Sequence, residues 1–249
     1  AAATNSGQVP LRHYTVTLAP QQTEFTVRYQ GKIHHALKNP GEEYARSFSY
    51  TPGVISDEGV FLANSSHWYP QFEEALVSFR LTIDIPSGWD VISQGALTNE
   101  QKTATNQTVT WEETYPQDDI YLVAGRYHRY TQSAGAVNTL VYLRSADEPL
   151  AHKYLDVTAQ YIGMYSKLLG PYPYTKFALV ENFWETGYGM PSFTLLGPKV
   201  IRFPFILHSS YPHEILHNYW GNGVFVDYAK GNWAEGLTAY LADHLINEQ

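Results

Sequence analysis

Two histidines stand four residues apart in "YPHEILHNYWGNGVFVDYAKGNWAEGLTAYL", residues 211–241, with a glutamate beside the first. On a helix, positions i and i+4 share a face, so His213 and His217 can direct two imidazoles at one point. Glu214 is turned about 100° from His213 around the same helix. From there its carboxylate can reach a metal-held water without ligating the metal. Two neutral imidazoles and one carboxylate suit zinc, with a fourth position left for water. Zinc brings the pKa of that water toward neutrality, and a neighbouring Glu can accept the proton. The carboxylate ligand must come from downstream. Glu235 is the first candidate, and Asp227 and Asp243 compete with it. The competing reading of these residues is a surface helix with solvated histidines, because short motifs also arise by chance.

The elements around these residues follow from periodicity and punctuation. Ser209 or Ser210 can cap a first helix over about 210–221, Pro212 is tolerated in its first turn, and Gly221 and Gly223 end it. A second helix, roughly 233–247, carries Glu235 in its first turn. The intervening loop would return Glu235 to the histidines. Upstream, "EPLAHKYLDVTAQYIGMYSKLLG" spaces Leu150, Tyr154, Leu155, Val157, Ile162, Tyr165 and Leu168 as a helix, and Gly170 and Pro171 stop it. "KFALVEN" and "PSFTLLGPKVI" read as strands. Residues 11–145 read as strand after strand: "HYTVTLAP", "EFTVRYQGKIHH", "ALVSFRLTIDIPSGW", "TVTWEETYP", "IYLVAGRYHRY" and "NTLVYLRS". Turn signals such as "NPGEE", "TPGV" and "PSGW" separate them. The expected architecture is therefore mixed β and α+β. An antiparallel β-sandwich or large twisted sheet occupies residues 1–145, and an α+β unit occupies 146–249.

Composition excludes several function classes. The chain has 249 residues, 44% of them hydrophobic, enough for a packed core. A net charge of −8 argues against nucleic-acid binding by phosphate neutralisation. With no cysteine, thiolate catalysis, Cys-rich zinc knuckles and disulfide frameworks are all excluded. Any metal must be held by His, Asp or Glu. No apolar run is long enough to span a membrane as a helix. The small, polar start "AAATNSGQ" fits the mature end of an exported protein, and we expect export on that ground. The 20 tyrosines and six tryptophans are expected as core and cross-strand pairs in a strand-rich chain rather than as a carbohydrate-binding face. His34, His35, His67 and His208 show no ligand spacing. Asn64 and Asn106 match the glycosylation acceptor pattern, which is common by chance.

The flanks carry a family resemblance. "HEILHNYWGN" followed by "NWAEGLTAYL" resembles the zinc signature of the aminopeptidase N-type metallopeptidases. These gluzincins include leukotriene-hydrolase-like enzymes. "SSHWYPQFEEALVSFRLTIDIPSGWDVISQG" and "DIYLVAG" are similar to that family's N-terminal β-domain. "LLGPYPYTKFALVE" resembles the start of its thermolysin-like domain. The resemblance implies a saddle- or sandwich-like β-domain followed by the first part of a thermolysin-like catalytic domain. It also implies one zinc per chain held by His213, His217 and Glu235, Glu214 as general base, and a peptide substrate aligned by the edge strand at Gly187, Tyr188, Gly189 and Met190.

Three departures qualify what is implied. Seventeen residues separate His217 from Glu235, one fewer than is usual in the family, which a shorter loop accommodates. In "ETGYGMPSFTLLG", Pro191 directly follows Met190, so the family's Glu that binds the substrate's α-amine is missing. Glu181 or Glu185 is the nearest substitute. The chain ends fourteen residues after Glu235, so the family's tyrosine for the tetrahedral intermediate is expected beyond it, in a longer polypeptide. Tyr240 is expected to pack, and Asp243 can orient a ligand from behind. The expected function is zinc-dependent peptide hydrolysis of aminopeptidase type. Its rivals are a same-fold peptidase that needs no free N-terminus and a non-catalytic zinc-bearing module that binds peptides or proteins.

Overall fold

The computed structural model of the chain describes residues 2–6, 9–38, 49–72 and 75–245. A hairpin of β1 (Ala2–Ser6) and β2 (Val9–His13) comes first. A four-stranded sheet is formed by β3 (Gly53–Ile55), β4 (Val60–Leu62), β6 (Asp90–Ile92) and β9 (Leu122–Gly125), in the order β3-β4-β9-β6. A three-stranded sheet contains β5 (Val77–Pro86), β8 (Asn106–Gln117) and β7 (Ala96–Lys102), in that order. Strands and helices after residue 126 build the rest. These are β10 (His128–Ala134), β11 (Val137–Leu143), α1 (Glu148–Leu169), β12 (Lys176–Glu181), β13 (Gly187–Met190), β14 (Phe193–Leu196), α2 (Ser210–Leu216) and α3 (Trp233–Ala239). A π-helical turn, Tyr240–His244, extends α3.

The five-stranded sheet, ordered β10-β11-β12-β14-β13, is the centre of the molecule. β11, β12 and β14 run parallel, with α1 as the crossover from β11 to β12. Asp147 caps α1 by accepting the Leu150 amide, and Gly170 ends it. One face of this sheet, through Val141, Leu143, Phe177, Leu179 and Leu196, packs on Tyr154, Leu155 and Ile162 of α1 and Ile215 of α2. The other face, through Tyr142, Ala178, Val180, Phe193 and Leu195, packs on Phe61, Ile92 and Val123 of the four-stranded sheet. Burial on both faces explains why "KFALVE" reads as a continuous apolar run, with all six residues buried. A further cluster joins the four- and three-stranded sheets, and in it the Trp111 indole donates to the Val91 carbonyl.

The structure departs from the sequence expectations at four places. Residues 14–33 carry the alternating pattern yet join no ladder. Tyr14, Val16, Val27 and Tyr29 stay largely exposed there, because alternation makes a strand only where an edge is offered to pair with. β10 and β11 precede residue 145 but pair into the sheet that holds β12–β14, so the change of period near 145 does not coincide with a sheet boundary. α2 ends at Leu216, short of 221. The Asn218 side chain donates to the carbonyls of Glu214 and Ile215, taking an acceptor the next helical turn would use. Leu168, expected on the buried stripe of α1, is exposed.

Candidate metal centre

α2 is fixed from behind before its histidines can act. The ring of Tyr211 meets Tyr154 edge-on, with centroids 4.9 Å apart, and its hydroxyl bonds Thr158 on α1. Ser209 precedes the helix but does not cap it, because its hydroxyl donates to the Phe205 carbonyl instead. One turn apart on this anchored helix, the Nε2 atoms of His213 and His217 lie 3.0 Å from each other. The rings are nearly perpendicular, at 79°.

α3 supplies the third group. Asn232 caps it at the Glu235 amide, which fixes Glu235 in the first turn. The Trp220 indole donates to Thr238 at 3.0 Å and ties the end of the α2 segment to α3. Glu235 then places Oε2 3.4 Å from His213 Nε2 and Oε1 3.4 Å from His217 Nε2. Among the described residues this is the one group of three metal-type side chains. Asp227 is used elsewhere, capping the turn at Ala229 and pairing with Lys230, and neither it nor Asp243 joins the group.

The donor set can be tested against zinc. Tetrahedral zinc with bonds near 2.0–2.1 Å puts neighbouring donor atoms about 3.3–3.4 Å apart. The separations of 3.0, 3.4 and 3.4 Å match that spacing to within a few tenths of an ångström. Burial, together with the neighbouring His213, lowers the pKa of His217 and favours the neutral ring a metal requires, while the charge of Glu235 and a hydrogen bond with the Trp220 backbone work the other way.

Glu214 lies beside the triad, not within it. Burial foremost, then the negative charge of Glu235, pushes its carboxyl up to about 7. It rests against the edge strand: a Cβ on Gly189 would stand 2.1 Å from Glu214 Oε2. Glycine at that position lets a half-buried carboxylate and a strand backbone share one space.

Gly187, Tyr188, Gly189 and Met190 form β13, the edge of the five-stranded sheet. All four, with the triad and Glu214, line one cavity of about 820 Å³. The proposed substitutes for an amine anchor do not reach it. Glu181 is buried against the Arg144 amide and the Arg202 guanidinium, and Glu185 accepts the Lys199 amide. Sequence reasoning missed a second part of the lining, formed by Asn64, His67, Gln71, Asp118, Asp119 and Tyr121. Two adjacent acids before the buried strand in "DDIYLVAG" were the available signal. Burial above all pushes Asp119 up to about 7, although its carboxylate accepts the Asn64 amide. Tyr240, expected to pack, is exposed, with its ring against His244.

No protein-family model and no curated protein matches the chain. Solved structures do. An M1 zinc metallopeptidase from Deinococcus radiodurans superposes with a TM-score of 0.52 at 17% identity, over 66% of this chain and 39% of that one. A two-domain M1 zinc metallopeptidase, as a Glu-to-Ala mutant bound to L-arginine, gives a TM-score of 0.60 at 13% identity, over 83% and 49%. The same kind of mutant bound to L-tryptophan gives 0.51 at 16%, over 66% and 39%.

The fold is that of M1 zinc metallopeptidases. The chain spans between 39% and 49% of the length of these structures. No helix among the described residues is long and apolar enough to cross a membrane.

Proposed function

We propose that this chain carries the centre of a zinc-dependent peptidase of the aminopeptidase type. Its ligands are His213, His217 and Glu235, and its general base is Glu214. The observation that carries the reading is the position of Glu214, a half-buried carboxylate set between a three-donor site and an edge strand, in one cavity. A zinc ion held there supplies Lewis acidity toward a carbonyl oxygen and acidifies water. The edge of β13 offers backbone groups to an extended peptide. Glu214 accepts the proton of the attacking water and delivers it to the departing amine nitrogen. A non-catalytic zinc module has no use for a base in that position. We assign the five-stranded sheet with α1–α3 to a thermolysin-like catalytic unit and the preceding sheets to a β-domain.

One observation favours a second reading, a peptidase of this fold that needs no free N-terminus: Glu181 and Glu185 are both engaged away from the cavity.

The experiment is metal analysis with mutation. The wild-type chain is expected to bind one zinc. His213→Ala and Glu235→Ala are expected to lose it, whereas Glu214→Gln keeps it and loses at least a hundredfold in kcat. Zinc retained by both ligand variants, or unchanged turnover in Glu214→Gln, would overturn the assignment.

A further inference from the structure

Lys176 opens β12 and is almost wholly enclosed, with 4% of its surface exposed. Its amine lies 4.9 Å from the centre of the Trp111 ring and 5.6 Å from that of Phe193, and Glu113 attracts it from β8. Its hydrogen bonds go to a single residue, Ser192, at 2.6 Å to Oγ and 3.4 Å to the carbonyl. Ser192 closes the β13–β14 hairpin with φ of 67°, a left-handed conformation that is unfavourable for a non-glycine residue and persists only where surroundings enforce it. The enforcement is complete: its amide donates to Asn218 Oδ1 at 2.6 Å, and its carbonyl also accepts the Ala178 amide. Asn218 in turn holds the carbonyls of Glu214 and Ile215 at 3.1 Å.

We propose that Lys176 is a positioning residue for Glu214: it locks the Ser192 turn, and that turn fixes both the strand against which the Glu214 carboxylate rests and, through Asn218, the helix that carries it. Two routes therefore leave Ser192 and meet at one residue. Along the strand, Gly189 and Met190 lead into the hairpin, and a Cβ on Gly189 would stand 2.1 Å from Glu214 Oε2. Along the side chain of Asn218, the Glu214 backbone is held in place. Stability alone does not account for a buried amine here, because a methionine would fill the space between Trp111 and Phe193 without a desolvation cost. The amine donates to Ser192 whether charged or neutral.

The kinetic arm of the test rests on the peptidase reading, and a second arm does not. Lys176→Met is expected to keep one zinc and a KM within about twofold, while kcat falls about tenfold to a hundredfold, the scale of a small misplacement of a catalytic group. For the second arm, cobalt-loaded protein is titrated with acetohydroxamate and read from the visible absorption of the metal. A hydroxamate chelates a metal through two oxygens and shares its proton with an adjacent carboxylate. Its affinity should therefore fall in Glu214→Gln, and in Lys176→Met toward the same value. If Lys176→Met does not fold, Ser192→Gly, which accepts the positive φ and removes the hydroxymethyl group that the amine holds, should shift both readouts in the same direction. A folded variant with unchanged kcat in an active enzyme, or with unchanged hydroxamate affinity, overturns the proposal. If the wild-type protein cleaves no peptide, the peptidase reading falls, and the hydroxamate comparison alone decides the role of Lys176.

Discussion

A single methyl group separates glycine from alanine, and at Gly189 it would fall on the end of the Glu214 side chain. It would stand 2.1 Å from one carboxylate oxygen of Glu214 and 3.8 Å from the His217 ring. The side chain that gives way is Glu214, the proposed base, because the strand is held by β14 along its whole length. Gly189→Ala is therefore expected to lower kcat by at least about tenfold, since displacing a catalytic group by a fraction of an ångström is costly. Zinc content should be unchanged, because the three donor atoms are not the ones displaced. Paired zinc analysis and steady-state kinetics check this, and wild-type kcat in a folded variant would show that the contact is slack. Glu235 is the opposite case. It is the most exposed of the three proposed ligands, with 54% of its side chain exposed, so removing it should cost metal without costing fold.

Elements explain which of these features a sequence discloses. His213, Glu214 and His217 were legible because helical geometry over five residues fixes their relation. Glu235 was legible only through its cap and the expectation that the chain turns back. The length of α2 was not legible, because Asn218 redirects the carbonyls only once the hairpin is packed beside it. The ladderless stretch 14–33 shows the same limit for strands, whose pattern is local while their pairing is not. Lys176 was hidden in "KFALVE", where a lysine before an apolar run reads as a solvated strand end. Burial first, opposed by Glu113, lowers its pKa to about 7, well below its unfolded value. The folded chain thus binds fewer protons than the unfolded chain between about pH 7 and pH 10, and there stability rises with pH on this residue's account. Below pH 7 both states are protonated, and its contribution is constant. Melting temperatures of the wild type and Lys176→Met across pH 7–9.5 should diverge, the wild type gaining more as pH rises. Parallel curves would mean that the amine is solvated in the fold.

At the scale of the whole molecule, the cavity is assembled from both ends of the chain, and its charge is one-sided. Among the described residues its lining holds Asp118, Asp119, Glu214 and Glu235 and neither lysine nor arginine. With Glu235 proposed as a metal ligand and Glu214 as the base, the aspartate pair remains to meet a substrate. A free α-amine needs a fixed negative partner if it is to be desolvated. A strong anchor gives about a hundredfold or more in kcat/KM between free and acetylated peptides, since a few kcal/mol is at stake. Asp119 already accepts the Asn64 amide and carries a pKa pushed up to about 7, which leaves it a weak anion at neutral pH. Asp118 is the more exposed of the two, so water screens part of any attraction it offers. The expected penalty on acetylation is therefore well under a hundredfold, shrinking as salt is raised. Asp118→Asn should reduce it further, and Glu181→Gln and Glu185→Gln should leave it unchanged, because their carboxylates are held by Arg144, Arg202 and Lys199. A penalty of several hundredfold that survives both Asp118→Asn and Asp119→Asn would mean that the ammonium is held by a group other than these aspartates, and that the shortened turn after Met190 does not relax end-specificity.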